Sequence, residues 1–411
     1  MKAEVVSREV FVFSPGPGIA THGASFYTTL KGGKLIGFHG YTSRSDTCDR
    51  GFICHSEDNG RTWSEPSEYA VDFDRPGGTY RRDRGSGGDV DPKTGRYLSI
   101  WNEGLLPTDN PMEGMKQWKL HYSVSEDGGK TELVNEQIIH QGAEYDEIHP
   151  LPGVTVGNNS AMLGDLGQRP LTRSDGVILV PISITPIGSD GQYFNPGGGL
   201  TYHDCALLMG RWKEDGRLAW TISERIIGDP DRTTRGLIEP TIAELADSSI
   251  LMVMRGSNDV RPELPGYRWV TFSQDGGQTW SEAKPWTYTD GETFHSPSSM
   301  SQLLRYSDGR LFWMGNICRN NPVGNNPRYP LILGKVDPET GLLIRDSVTV
   351  IDDRRPDESE YLTLSNFYLR EDRETGELLL HMTRLFAQDF RRNNKTDWTA
   401  DALLYRIALA P

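Results

Sequence analysis

The sequence predicts an all-β fold, a β-propeller of six blades with four antiparallel strands in each. Three observations carry that expectation. Glycine is in excess, 45 of 411 residues or about 11%, against a usual ~7%. Two kinds of hairpin turn recur along the chain. The copies of those turns use up the whole length.

The first repeat is a turn followed by an apolar strand. It reads Gly32-Gly33-Lys-Leu-Ile, Lys93-Thr-Gly95-Arg-Tyr-Leu, Asp175-Gly176-Val-Ile-Leu, Asp247-Ser248-Ser-Ile-Leu, Asp308-Gly309-Arg-Leu-Phe and Glu374-Thr-Gly376-Glu-Leu-Leu. Taken at residues 33, 95, 176, 248, 309 and 376, the turns lie 62, 81, 72, 61 and 67 residues apart. The mean is about 69, and one sixth of 411 is about 68, so six units fill the chain.

The second repeat is Ser-x-Asp-x-Gly-x-Thr. Its copies begin at Ser56, Ser125 and Ser273, and place Asp58, Asp127 and Asp275 before Gly60, Gly129 and Gly277. The Asp accepts from backbone N–H groups, Gly supplies a positive φ, and a Trp such as Trp63 or Trp280 packs beneath. Asp215-Gly-Arg-Leu-Ala-Trp220 is a degraded copy, and Val336–Gly341 fills the same slot. The two repeats interleave, so each unit holds two hairpins and four strands, which is a propeller blade. The sixth unit ends in one apolar strand, 402–409, and the N-terminal stretch Glu9–Phe13 can supply the missing one. With no linker in view, residues 1–411 are expected to form one domain.

The net charge of −14 argues against a nucleic-acid surface. No apolar run reaches the ~18 residues that span a membrane; the best, Val177–Ile187, is broken by Pro181 and Pro186. The N-terminus lacks a signal-peptide core, so a cytoplasmic protein is expected, or a secreted one whose signal is absent from this sequence. Cys48, Cys54, Cys205 and Cys318 have no metal-like spacing, and free thiols are expected, with a Cys48–Cys54 bridge as the alternative. The histidines lack helical ligand spacing, so no metal or other cofactor is expected.

Inner strands of a propeller line a central funnel. Polar residues just upstream of each first hairpin are therefore candidates for a site: His22 and Ser25, Asp89, Gln168 and Arg169, Glu239, His295 and Ser296, Glu360 and Tyr361. The loops after the second strands add Arg44, Asp46 and Asp49, then Arg255, then Arg319 and Arg328. Acids, arginines and a tyrosine around one axis suit a saccharide, so an oligosaccharide or glycoconjugate partner is expected. The long segments 103–127 and 135–170 are expected to wall that pocket.

At these residues the chain resembles the sialidase (neuraminidase) superfamily, whose Asp-box repeats the Asp turns match over nearly the whole length. The segment from Glu239 to Arg255 is similar to the one that carries the family's glutamate and a carboxylate-binding arginine. Asn326-Pro327-Arg328 resembles the segment of another such arginine, and Glu360-Tyr361 that of the nucleophilic tyrosine. Asp46 or Asp49 lies where the family keeps its acid/base aspartate. The resemblance implies that Glu239 polarises Tyr361, that Tyr361 attacks the anomeric carbon, and that the aspartate protonates the leaving oxygen. It also implies substrate contacts from Arg255 and Arg328; Arg44, Asp89, Arg169, His22 and His295 are expected contacts from their places on the inner strands and loops. One departure stands out. Where the family opens with an arginine of its triad, this chain has His22, no bidentate substitute. Arg44, Arg169, Arg81, Arg82 and Arg84 are the arginines available to replace it.

The expected function is a sialidase-like exo-acting glycoside hydrolase cleaving a terminal sugar, acidic or neutral, with sialic acid itself in question. For a neutral sugar, two carboxylates among Asp46, Asp49, Asp89 and Glu239 suffice. Two other readings stay open: a propeller polysaccharide lyase acting on uronates through Tyr361 and His22, and a non-catalytic carbohydrate-binding propeller.

Overall fold

The structure of the protein, a computed structural model, describes residues 3–75, 78–83, 87–164, 168–388 and 398–409, with the backbone alone for 72–75 and 78–83. Arg84 lies outside the described residues, and so do the side chains of Arg81 and Arg82.

Six antiparallel sheets make the blades of a β-propeller. Blade one runs Ala20–Tyr27, Leu35–Thr42, Arg50–Ser56 and Ser67–Tyr69 from the axis outward. Blade four runs Ile238–Glu244, Ile250–Arg255, Arg268–Ser273 and Lys284–Pro285. Blade five runs Gln302–Arg305, Leu311–Asn316, Leu331–Val336 and Thr349–Asp352. Blade six runs Phe367–Glu371, Leu378–Thr383 and Ala402–Leu409, and its outer strand is Ala3–Val12. The N-terminal strand thus closes the ring, six residues earlier than the sequence suggests at its start, pairing Ala3 with Leu409 and Val12 with Ala402.

Blades two and three depart from the plain pattern. In blade two the second strand, Tyr97–Leu106, takes Gly88–Val90 along one end and an extra hairpin strand, Gly78–Asp83, along the other. In blade three the inner position is shared by Ala161–Met162 and Leu171–Thr172, both paired to Ile178–Ile184.

The core lies between blades rather than at the axis. Alternate residues of each strand face opposite neighbours. Cys205 and Leu207 pack toward blade four, while Ala206 and Leu208 pack toward blade two. Trp286 and Trp313, both fully buried, meet edge to face at 5.2 Å between blades four and five.

The two repeats share one face of the disc, the turn face. The residues that turn the six inner hairpins have positive φ: Gly32, Gly95, Gly176, Ser248, Gly309 and Gly376. Five are glycines because a Cβ is strained there; Ser248 is the exception. The Asp turns form as their chemistry requires. Asp127 accepts from Ser125 Oγ at 2.8 Å, Thr131 N at 2.8 Å and Thr131 Oγ1 at 2.8 Å. Asp58 and Asp275 repeat that set with their own Ser and Thr.

Those donors favour the charged carboxylates. The hydroxyl and backbone N–H of Thr62 lower Asp58 to about 2, and those of Thr131 lower Asp127 to about 2. An unfolded Asp titrates near ~3.9. A folded value below the unfolded one gives stability that is complete above about pH 4 and lost as pH falls toward about 2. The thermal midpoint is expected to fall across that window, and to fall less in Asp58→Asn/Asp127→Asn/Asp275→Asn. Parallel pH curves for the two proteins in a melting series are the result that contradicts this.

Candidate functional site

The opposite face, the loop face, carries the connections from second to third strand and from blade to blade. Glu239 sits there, at the start of the inner strand of blade four. Its φ is +49°, uncommon for a residue with a Cβ and more so before a proline. The register of its strand breaks between Ile238 and Thr241, a bulge that re-aims the side chain. Its N–H donates to Ser183 Oγ at 3.1 Å. Its carboxylate accepts from Arg255 Nη1 at 2.6 Å, and both side chains are about nine-tenths buried.

Gly164 makes that placement possible. A Cβ there clashes with Glu239 Cγ and lies 3.0 Å from its Oε1. Gln168 is buried beneath, accepting from Gly164 N and donating to Pro181 O at 3.0 Å. Gly164→Ala is therefore expected to displace Glu239. Misplacing a reacting group by ~1 Å can cost ~100-fold, so a loss of at least tenfold in kcat is expected, checked by steady-state kinetics beside a melting curve. A kcat within twofold of the parent removes Glu239 placement from the chemistry.

Around Glu239 the structure gathers arginines. Arg255 and Arg268 are cross-strand partners, a like-charge pair that costs stability on its own. Arg268 is fully buried, donates to Ser299 O at 2.8 Å and Ser296 Oγ at 3.0 Å, and lies over the Trp313 ring. Burial, then the Arg255 charge, lowers it to about 9. Arg235 is buried against Thr201 Oγ1. Burial lowers it to about 10, with Arg255 and Arg328 repelling it and Glu239 and Asp259 opposing them. Arg328 Nη2 donates to Ser298 O at 3.0 Å. Burial and the charges of Arg235 and Arg255 hold His203 well below its usual range, so it is neutral. Arg235, Arg255, Arg268 and Arg328 are thus gathered near Glu239, with Asp259 also acting on Arg235. Buried Arg235 and Arg268 make no ion pair among the described residues, which favours an anion there.

Tyr361 lies in the connection from blade five to blade six. Leu362 and Leu364 on either side of Thr363 are fully buried, while Tyr361 is 39% exposed. A backbone bridge joins Thr363 to Arg328, and Leu364 N donates to Arg328 O at 3.0 Å. Asn316 Nδ2 ties Arg328 O and Leu364 O together. The structure therefore brings the Tyr361 and Arg328 segments side by side. Glu239 Oε2, expected to polarise Tyr361, is engaged by Arg255.

The loop of blade one is exposed and tied locally. Asp49 Oδ2 accepts from Ser43 N at 2.7 Å, and Asp46, at φ +57°, accepts from Ser45 Oγ at 2.8 Å. Arg44 reaches across to Asp109 of blade two at 2.8 Å, so it is engaged in a salt bridge between blades one and two. His22 is half-buried on the inner strand of blade one, and burial lowers it to about 4, which leaves it neutral. It supplies no charge in place of an arginine. His295 stacks on Tyr267 at 6.0 Å between blades four and five. Asp89 and Arg169 join each other at 2.8 Å rather than the cluster around Glu239, and Arg169 lines a pocket on the turn face.

Arg235 and Arg268 escape a reading of the sequence. Both look like polar residues at strand edges. Arg235 does stand four residues before Glu239 in an otherwise uncharged run, Thr-Thr-Arg-Gly-Leu-Ile-Glu, and that is the one usable signal.

A family model described as a BNR repeat-like domain matches residues 114–365. No curated protein matches the chain by sequence. Among solved structures, a protein of unknown function from Dyadobacter fermentans is similar at TM-score 0.60 and 13% identity, with 99% of each chain covered. The NanB sialidase of Streptococcus pneumoniae is similar at TM-score 0.60 and 12% identity over 97% of this chain and 70% of that one. The leech intramolecular trans-sialidase gives TM-score 0.57 and 13% identity over 99% and 70%.

Proposed function

We propose, from the premise that the chain belongs to the BNR repeat-like domain family, that it is a sialidase-like exo-acting glycoside hydrolase for a terminal acidic sugar. One observation carries the reading: buried Arg235 and Arg268, which make no ion pair among the described residues, gathered on the loop face with Arg328 and the Glu239–Arg255 pair. A sugar carboxylate supplies the missing anion through charge-assisted, fork-like hydrogen bonds.

In this reading the substrate carboxylate repels an anionic nucleophile, so the neutral phenol of Tyr361 attacks the anomeric carbon. Glu239 draws the phenolic proton as that bond forms. Asp49 or Asp46, exposed on the neighbouring loop, gives its proton to the leaving oxygen and then takes one from water. The elimination reading loses support at His22. With its value near 4, that imidazole is a weak base at neutral pH.

The test is a chromogenic panel of sialosides, uronides, rhamnosides and arabinosides. Release from an acid-bearing glycoside, with no absorbance of an unsaturated uronide, is expected. Release from neutral glycosides alone overturns the acidic substrate, and binding without release from any of them leaves a carbohydrate-binding propeller.

A further inference from the structure

A second cluster of cations stands at the other end of the channel. A pocket of about 290 Å³ opens on the turn face, at the small end of the ~300–1,000 Å³ usual for ligand sites. Its rim comes from the inner hairpins of blades five and six, through Arg305, Ser307, Glu371 and Arg373, and its depth reaches Arg169 and Arg370. None of these belongs to the cluster around Glu239.

The charges do not cancel. Arg169 is satisfied, by Asp89 at 2.8 Å and the Tyr368 hydroxyl at 2.9 Å. Glu371 accepts from Ser307 N at 2.7 Å and Ser307 Oγ at 2.5 Å. Arg370 is buried, donates to Ser25 Oγ at 3.0 Å, and makes no ion pair among the described residues. Arg373 likewise makes none; it donates to Thr29 O at 2.6 Å. The two guanidinium groups lie 4.8 and 3.8 Å from the Tyr27 ring centroid. Arg305 is exposed at the rim and, among the described residues, bonds only backbone carbonyls, of Gly309 and Glu244. Burial holds Arg370 and Arg373 below the usual guanidinium range, and the Arg370 charge acts against Arg373. The buried carboxylate of Asp372 also acts on Arg370 and is shared with Arg406 at 3.6 Å; four arginines still outnumber Asp89, Glu371 and Asp372 in a protein whose net charge is −14.

We propose that this pocket is a second ligand site, separate from the sugar site, and that it binds a small phosphate-bearing anion. The surplus of arginine over carboxylate favours an anion. Arginine donors converging from several directions suit the tetrahedral oxygens of a phosphate better than a planar carboxylate. The proposal is independent of any glycosidase activity.

Isothermal titration of the full chain with inorganic phosphate, and separately with glucose 6-phosphate, tests it. Saturable binding is expected, weakening as salt rises. It is expected to fall at least tenfold in Arg373→Gln and in Arg305→Gln, two exposed positions whose replacement leaves the core intact, and to persist in Arg328→Gln. Tighter binding of the sugar phosphate identifies an organic monoester as the ligand; equal binding identifies the free anion. The proposal is overturned if neither probe saturates, if binding survives both turn-face substitutions, or if it is lost in Arg328→Gln instead.

Discussion

Glu239→Gln is expected to cut kcat by about 10²–10⁴ on whichever acidic glycoside the parent protein cleaves, without raising KM. The split follows from charge. Among the described residues Glu239 is the one carboxylate ion-paired within the arginine cluster, so its neutralisation adds to the positive field proposed to hold an acidic sugar. Ground-state binding is expected to be preserved or tightened, while the group proposed to take the proton from Tyr361 is gone. The same substitution breaks a largely buried ion pair. Removing one partner of such a pair costs about 3–5 kcal/mol; Gln keeps the volume and one acceptor, so a loss nearer 1.5–3 kcal/mol is expected. Steady-state kinetics and chemical denaturation read the two effects separately. A destabilised protein with unchanged kcat makes the pair structural only, a clamp across the first hairpin of blade four.

Arg328→Met is the second large effect. A charge-assisted bond from a guanidinium is worth about 1.5–3 kcal/mol, so kcat/KM toward an acid-bearing glycoside is expected to fall roughly 10- to 100-fold or more. The corresponding neutral glycoside is expected to change little. Arg328→Lys recovers only part of the loss, because an ammonium does not reproduce the planar fork. Equal losses on acidic and neutral substrates point instead to a shift of the Tyr361 segment, which is bonded to the Arg328 backbone. Ratios of kcat/KM across the matched pair decide between the two.

Much of the architecture is legible in the turns. Hairpin chemistry is local: an Asp at one position and a Gly at another answer to their own backbone, so six copies can be counted without knowing what they pack against. Glu239 and Arg255 are legible as a pair for the same reason. They stand at the open end of one predicted hairpin, where Ile238 faces Arg255.

The arginine cluster is not legible in that way. Arg235, Arg268 and Arg328 come from separate segments: the pairing of second and third strands in blade four sets Arg268 beside Arg255, and Arg328 joins them from blade five. Asp89 and Arg169 illustrate a finer failure. Polarity near an inner strand suggests an axial position, yet each residue along a strand moves ~3.3 Å, and a few residues decide which mouth of the channel a side chain serves. Arg169 lines the turn-face pocket, and Asp89 is its ion-pair partner.

The chain by itself therefore determined the number of blades, the turns that pin them and the strand that closes the ring, because each depends on short-range backbone chemistry. Only the tertiary structure decided where charge accumulates. Desolvation and repulsion among guanidinium groups, like the neutral state of His22, arise from side chains far apart in sequence being buried together, and no spacing along the chain encodes that sum.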